Sequence, residues 1–251
     1  MLDVERSRKW GDDELHEQRD IDPGLLFAVP GMLFLMYSHR LRSILSAPER
    51  KVFQKLTTPH KIQDYLDTLP VNFAVKKDTY MSPRRVVQER TAHCFEGALF
   101  AAAAFAYHGK KPLLMDFRSI AEDEDHVVAP FRFRGYWGAV SKTNHAVLRY
   151  RDPVYRSLRE LAMSYFHEYF LFRGPKTLRE YGLLDLSKIA PEKWLVAQEE
   201  LQWLVDKLDG ARHFPTVPKK ILRFLRSASP IERKALHLRE WKPPKGYKSH
   251  G

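Results

Sequence analysis

Cysteine is almost missing from this chain: Cys94 is the single one among 251 residues. That excludes an internal disulfide framework and any zinc site built from several thiols, and it fits a reducing compartment such as the cytoplasm. A long apolar run is missing too. The most hydrophobic stretch, Gly24 to Tyr37, is shorter than the ~20 residues a membrane span needs and is broken by Pro30-Gly31, so a core helix is expected and no membrane span. The charged opening Met1-Leu2-Asp3-Val4-Glu5-Arg6 carries no export signal. Neither HExxH nor paired-cysteine spacing occurs, and Asp123-Glu124-Asp125 lacks the alternation of a calcium loop, so no metal and no cofactor is expected. Without an internal repeat, solenoids are excluded as well.

Acidic residues are scarce at one end. The formal charge is +11, and from Thr216 onward ten Lys and Arg face only Glu232 and Glu240. Such a segment reads as a solvated, partly disordered basic tail that suits an acidic partner; no nucleic-acid motif or aromatic stacking platform accompanies it.

What is present is an ordinary globular composition, 44% hydrophobic and 29% charged, with length enough for a proper core. Residues 1–20 read as a polar extension, 21–212 as one α+β domain whose core is about 70–150, and 213–251 as the basic tail. Thr58-Pro59 and Ser82-Pro83 are helix starts, with a hydroxyl cap and proline in the first turn. The next helix opens at Cys94 and runs through the alanine-rich stretch to Tyr107. Strands are expected over Leu113–Phe117, His126–Phe133, Tyr136–Ser141 and His145–Tyr150, and helices over Val154–Phe172 and Pro191–Leu208. A cysteine helix followed by a meander is α+β, an antiparallel sheet with flanking helices.

A thiol at a helix start is favoured as thiolate by the unpaired amides there, and a thiolate attacks carbonyl carbon. A buried, inert cysteine is the competing reading. Catalysis needs a base and a group to orient it. His93 is adjacent, and neighbouring side chains diverge at a helix start, so it is a poor base that shapes the site. His126 and His145 both head strands.

The order of Cys94-Phe95-Glu96-Gly97-Ala98, Gly109 to Leu114, Asp125-His126-Val127-Val128 and Gly135-Tyr136-Trp137-Gly138-Ala139-Val140-Ser141 resembles the transglutaminase-like cysteine-protease superfamily over roughly residues 70–150. The resemblance implies a papain/transglutaminase-like fold and a hydrolase or acyl transferase acting on a protein or peptide substrate. In it Cys94 is the nucleophile and His126 the base of a catalytic triad, and the reaction passes through a thioester. Where the superfamily places an aspartate, this chain has Ser141, with Asn144 nearby. A two-residue Arg134-Gly135 turn pairs residues summing to 269 and makes Ser141 the diagonal neighbour of His126; a three-residue turn puts Asn144 opposite it. Asn144-His145-Ala146-Val147-Leu148 is similar to the base segment of papain-like proteases, which makes His145 the alternative base. Glu96 and Trp137 are the candidate substrate-binding residues. An inactive binding or scaffold module of the same fold, with the tail for an acidic partner, is the second reading.

Overall fold

The computed structural model describes residues 30–73 and 79–245. The polar extension and the first part of the apolar run lie outside the described residues; from Pro30 that run is helix α1 (Pro30–Ser43). Local chemistry sets the next helix starts. Ser46, Thr58 and Ser82 cap α2 (Ala47–Lys55), α3 (Pro59–Asp67) and α4 (Pro83–Glu89), each hydroxyl accepting from the N–H three residues on. Helix α5 (Cys94–Tyr107) is buried from Phe95 to Tyr107. Its small side chains let neighbours approach on every side, which makes it a central helix rather than an amphipathic one.

The strands β1 (Leu113–Arg118), β2 (His126–Phe133), β3 (Tyr136–Ser141), β4 (Arg151–Tyr155), β5 (Glu180–Asp185) and β6 (His213–Pro215) form one antiparallel sheet ordered β4-β3-β2-β1-β5-β6. Helices α6 (Leu158–Tyr165), α7 (Gln202–Asp209) and α8 (Pro230–Lys234) follow β4, β5 and β6 in the chain. Side chains alternate between two apolar clusters. Leu114, Val127, Ala129, Phe131 and Val140 join α5, while Met115, Phe117, Val128 and Ala139 join Leu161 and Tyr165 of α6 on the other face. Packing on both faces explains why β1, β2 and β3 are almost wholly buried. The α+β expectation holds, and a cysteine-bearing helix laid on β2 and β3 is consistent with a papain-like fold.

Arg134 (φ 49°) and Gly135 (φ 86°) both have positive φ, the requirement of a tight two-residue hairpin. Pairing runs from Phe133 with Tyr136 to Val128 with Ser141. The two-residue register therefore operates, and the three-residue one does not.

Three expected elements are differently built. His145–Tyr150 is not a strand of the sheet; it is a loop in which His145 makes a lone bridge to Arg239. The expected helix over Val154–Phe172 is edge strand β4, then α6 started by the Ser157 cap, then a 3-10 turn. Pro153 misled there, because an edge strand tolerates a residue without an N–H. Of the helix expected over Pro191–Leu208 only a 3-10 turn at Pro191–Lys193 and α7 form. Between them the backbone bonds elsewhere: Leu195 O accepts from Arg84 N and Leu201 N donates to Tyr80 O. The basic segment is not a loose tail either. It contributes β6 to the sheet, and Ala146 N donates to Leu238 O while Glu240 N donates to Asn144 O. Among the described residues no helix is long and apolar enough to cross a membrane.

One buried ionisable pair ties the sheet's far edge together. His213 Nε2 lies 2.8 Å from Asp116 Oδ2, and Gly182 makes room, since a Cβ there would stand 2.6 Å from the His213 ring. Burial pushes the Asp116 carboxyl up from 3.8 to about 6; the His213 hydrogen bond opposes this and nearby Asp125 adds to it. A carboxyl whose folded value is raised contributes stability below its unfolded value and loses it as pH rises through about 6. Asp116→Asn should abolish that loss. The stability of the wild type relative to the variant is expected to fall by on the order of 1–2 kcal/mol between about pH 4 and pH 7.5, read from paired thermal melts. A difference independent of pH would mean that His213 keeps the carboxylate ionised throughout.

Candidate active site

Cys94 is the first residue of α5 and is half-buried. The loop before it is fastened by backbone pairing, Ala92 N to Pro70 O and Asn72 N to Ala92 O, both 3.2 Å. Glu96, fully buried, fastens it again. Its carboxylate accepts from His93 N (2.9 Å), Met81 N (3.1 Å), Thr79 Oγ1 (3.0 Å) and Asn72 Nδ2. The first turn of the cysteine helix is thus tied to residues 15 to 24 positions upstream by one buried acid.

Across the sheet's end, His126 heads β2 and Ser141 ends β3. His126 Nε2 is 2.9 Å from Ser141 Oγ. The serine hydroxyl donates to Leu148 O at 2.5 Å, so its single proton is used and it accepts the Nε2–H of the histidine. That leaves the other ring nitrogen of His126 free to face Cys94, which lines the same cleft as His126 and His93. Burial alone would raise the thiol; the two imidazoles outweigh it and hold Cys94 well below the ordinary thiol range.

Ser141 is positioned on three sides. Gln63 Oε1 accepts from Ser141 N (3.0 Å) and Gln63 Nε2 donates to Ser141 O (2.9 Å), a two-point amide clamp. Leu148 holds a left-handed backbone (φ 59°) that costs about 1 kcal/mol or more in a branched residue; its N–H donates to Glu168 Oε2 at 2.6 Å while its carbonyl takes the serine proton. The adjacent Lys142 is buried, its Nζ donating to Leu66 O (2.9 Å) and Leu69 O (2.6 Å) at the end of α3. Gly97 has no side chain because a Cβ there would overlap Lys142 Cβ.

The cleft beside the thiol has a volume of about 230 Å³ and is lined by Cys94, His93, His126, the acidic loop Asp123–Asp125, and apolar residues including Phe73, Tyr169 and Leu236. The other candidate residues lie as follows. Asn144 exchanges hydrogen bonds with the Trp241 backbone (3.0 and 2.7 Å), so it serves the C-terminal segment rather than His126. His145 lines the cleft, but its Nδ1 is bonded to Leu236 O at 3.0 Å, and burial lowers its pKa. Glu96 faces the interior, its oxygens taken up by the loop, and does not line the cleft. Trp137 stands two residues from the hairpin turn, opposite Arg132 and near Tyr155, away from the cleft.

His93 and Gln63 were not anticipated in these positions. At the cap of α5 His93 has φ −96° and ψ −171°. An extended residue escapes the 100° helical rotation that makes neighbouring side chains diverge, so its ring can turn back to the thiol. Gln63 is a polar residue on the buried face of α3 between Ile62 and Leu66.

No protein-family model matches the chain, and no curated protein matches it. Among solved structures it is similar to "Legionella pneumophila LapG (EGTA-treated)", with 11% sequence identity, 70% of this chain and 94% of that chain covered, and a TM-score of 0.34.

Proposed function

We propose that this chain is a transglutaminase-like thiol enzyme that acts on an amide or peptide bond through an acyl group on Cys94. The observation that carries the reading is Cys94 at the head of α5 lining one cleft with His126, whose ring is hydrogen-bonded to Ser141. The Cys94 thiolate adds to the carbonyl carbon, and N–H groups of the first turn of α5 are the donors available to the oxyanion. Collapse of the tetrahedral adduct breaks the C–N bond, and His126 gives its proton to the departing amine, leaving a thioester. Water or a second amine then adds to the thioester carbon, His126 takes the proton, and sulfur leaves as thiolate. Water yields the acid, as in a protease or deamidase; an amine yields a new amide.

The cleft's size supports a peptide or protein substrate. At about 230 Å³ it lies below the ~300–1,000 Å³ of pockets that enclose a whole small molecule, and suits a side chain of something larger lying across the surface. A free thiolate of this kind is suited to a reducing compartment.

A second reading is favoured by one observation, the uncharged Ser141 where a carboxylate would stabilise an imidazolium: a binding module that keeps the cleft and no longer turns over. Incubating the protein with a complex peptide mixture and a biotin-linked primary amine, followed by mass spectrometry, separates the two. The enzyme reading expects cleaved, deamidated or amine-labelled peptides that vanish with Cys94→Ala. Peptides retained unchanged by both proteins would establish the binding module.

A further inference from the structure

We propose that the Tyr169 hydroxyl is a hydrogen-bond donor to the substrate's carbonyl oxygen, holding the charge that gathers there when Cys94 adds to the carbonyl carbon. The inference rests on the acyl chemistry proposed above and names a second donor for it, beside the N–H groups of α5.

Tyr169 is 2% exposed, and its hydroxyl has no hydrogen-bond partner among the described residues. A buried phenol without an acceptor is costly and rare, and a cleft is where a ligand can supply the acceptor. Tyr169 lines the cleft of Cys94. Among the described residues, the other buried side-chain atoms in this state, such as Tyr150 Oη and Trp194 Nε1, belong to residues that do not.

The fold puts this phenol beside the base. Residues 168–172 form one wall of the cleft. They follow α6 and turn back at once, Leu171 N donating to Pro175 O and Thr177 N to Tyr169 O, both at 3.1 Å. Thr177 Oγ1 in turn donates to Asp123 Oδ2 of the acidic loop at 2.5 Å, which fastens the wall across the cleft. The Tyr169 ring meets Phe117 edge-on, at 71° with centroids 6.3 Å apart. Phe117 on β1 is the direct cross-strand partner of His126 on β2, so the two side chains share a face of the sheet. Tyr169 and His126 are therefore neighbours over that face, and Cys94 opens onto the same cleft.

As sulfur bonds the carbonyl carbon, the π electrons of the C=O bond pass to oxygen and the phenol's hydrogen bond to it strengthens. The proton stays on Tyr169, and collapse of the adduct returns the electron pair as the bond to the leaving group breaks. Burial holds the phenol far above its ordinary range, and the charges of Cys94 and Asp125 raise it further, so it stays a protonated donor at neutral pH.

The test is acetylation of Cys94 by p-nitrophenyl acetate, read as p-nitrophenolate release and as the acetyl mass on Cys94, beside alkylation by iodoacetamide. Wild type, Tyr169→Phe and Cys94→Ala are compared, with thermal melts of each. Phenylalanine keeps the ring against Phe117 and removes only an unpartnered hydroxyl, so Tyr169→Phe should melt at or above the wild-type temperature. Its acetylation should slow by about 10²-fold. Iodoacetamide reacts at a saturated carbon by losing iodide and forms no oxyanion, so alkylation should keep the wild-type rate. Equal acetylation of Tyr169→Phe and wild type overturns the proposal and leaves acyl transfer intact. Alkylation slowed as much as acetylation also overturns it, because the hydroxyl would then act on the thiol. So does a melt well below the wild type, the mark of a structural partner for the hydroxyl. A wild type acetylated no faster than Cys94→Ala overturns the acyl-transfer reading, and this proposal with it.

Discussion

Alanine in place of His126 is expected to slow acyl transfer by about 10²–10⁴-fold, because departure of the amine loses its proton donor. Ser141→Ala should cost less, roughly 10-fold. A neutral hydroxyl orients the ring but adds no charge, in contrast to the larger loss seen when a triad carboxylate is removed. The two variants should also differ in stability. Ser141→Ala strands the Leu148 carbonyl that its hydroxyl serves, at about 1–3 kcal/mol, whereas the buried His126 ring borders the cleft, where water can take the place it vacates. Single-turnover acylation monitored by mass spectrometry, with melts run in parallel, measures both. Equal rates for wild type and His126→Ala would remove His126 from the chemistry and reopen the place of His145.

Glu96→Ala is expected to be the most destabilising single change near the site. The buried carboxylate accepts from two backbone N–H groups and two side chains, and its removal leaves those donors dry. Breaking a buried charged network costs about 3–5 kcal/mol, which in a chain of this size lowers the melting temperature by on the order of 10 °C. The loop that carries the thiol should loosen with it, since it loses its fastening. Were Glu96 a substrate ligand, the same variant would raise KM and leave the melt unchanged; that outcome would contradict its interior placement.

Much of the fold was legible because its signals are local. Thr58 and Ser82 announce helix starts through their own hydroxyls, and the Arg134-Gly135 turn, needing two positive φ values, sets the β2–β3 register and with it the neighbourhood of His126 and Ser141. Where the chain satisfies its backbone at long range, local signals failed. The stretch after Trp194 looked helical, but its amides bond to Arg84 and Tyr80; the basic segment looked solvated, but it pairs with the loop at Asn144–Ala146 and supplies β6. Periodicity cannot register a partner seventy or a hundred residues away.

The same division runs through the site. Sequence alone determined the thiol at the head of an alanine-rich helix, because composition and capping are properties of neighbours along the chain, and it narrowed the base to two histidines, of which His126 heads a strand and His145 stands in a loop. Only the tertiary structure decided the rest. It turned His93 from a diverging neighbour into a wall of the thiol's cleft, because an extended cap residue is released from helical rotation. Glu96 became the interior anchor of the loop rather than a ligand for substrate, since four donors from distant segments converge on it. And Gln63 and Leu148 were brought to Ser141, because a serine can stand in for an orienting carboxylate only when its one proton is already committed elsewhere.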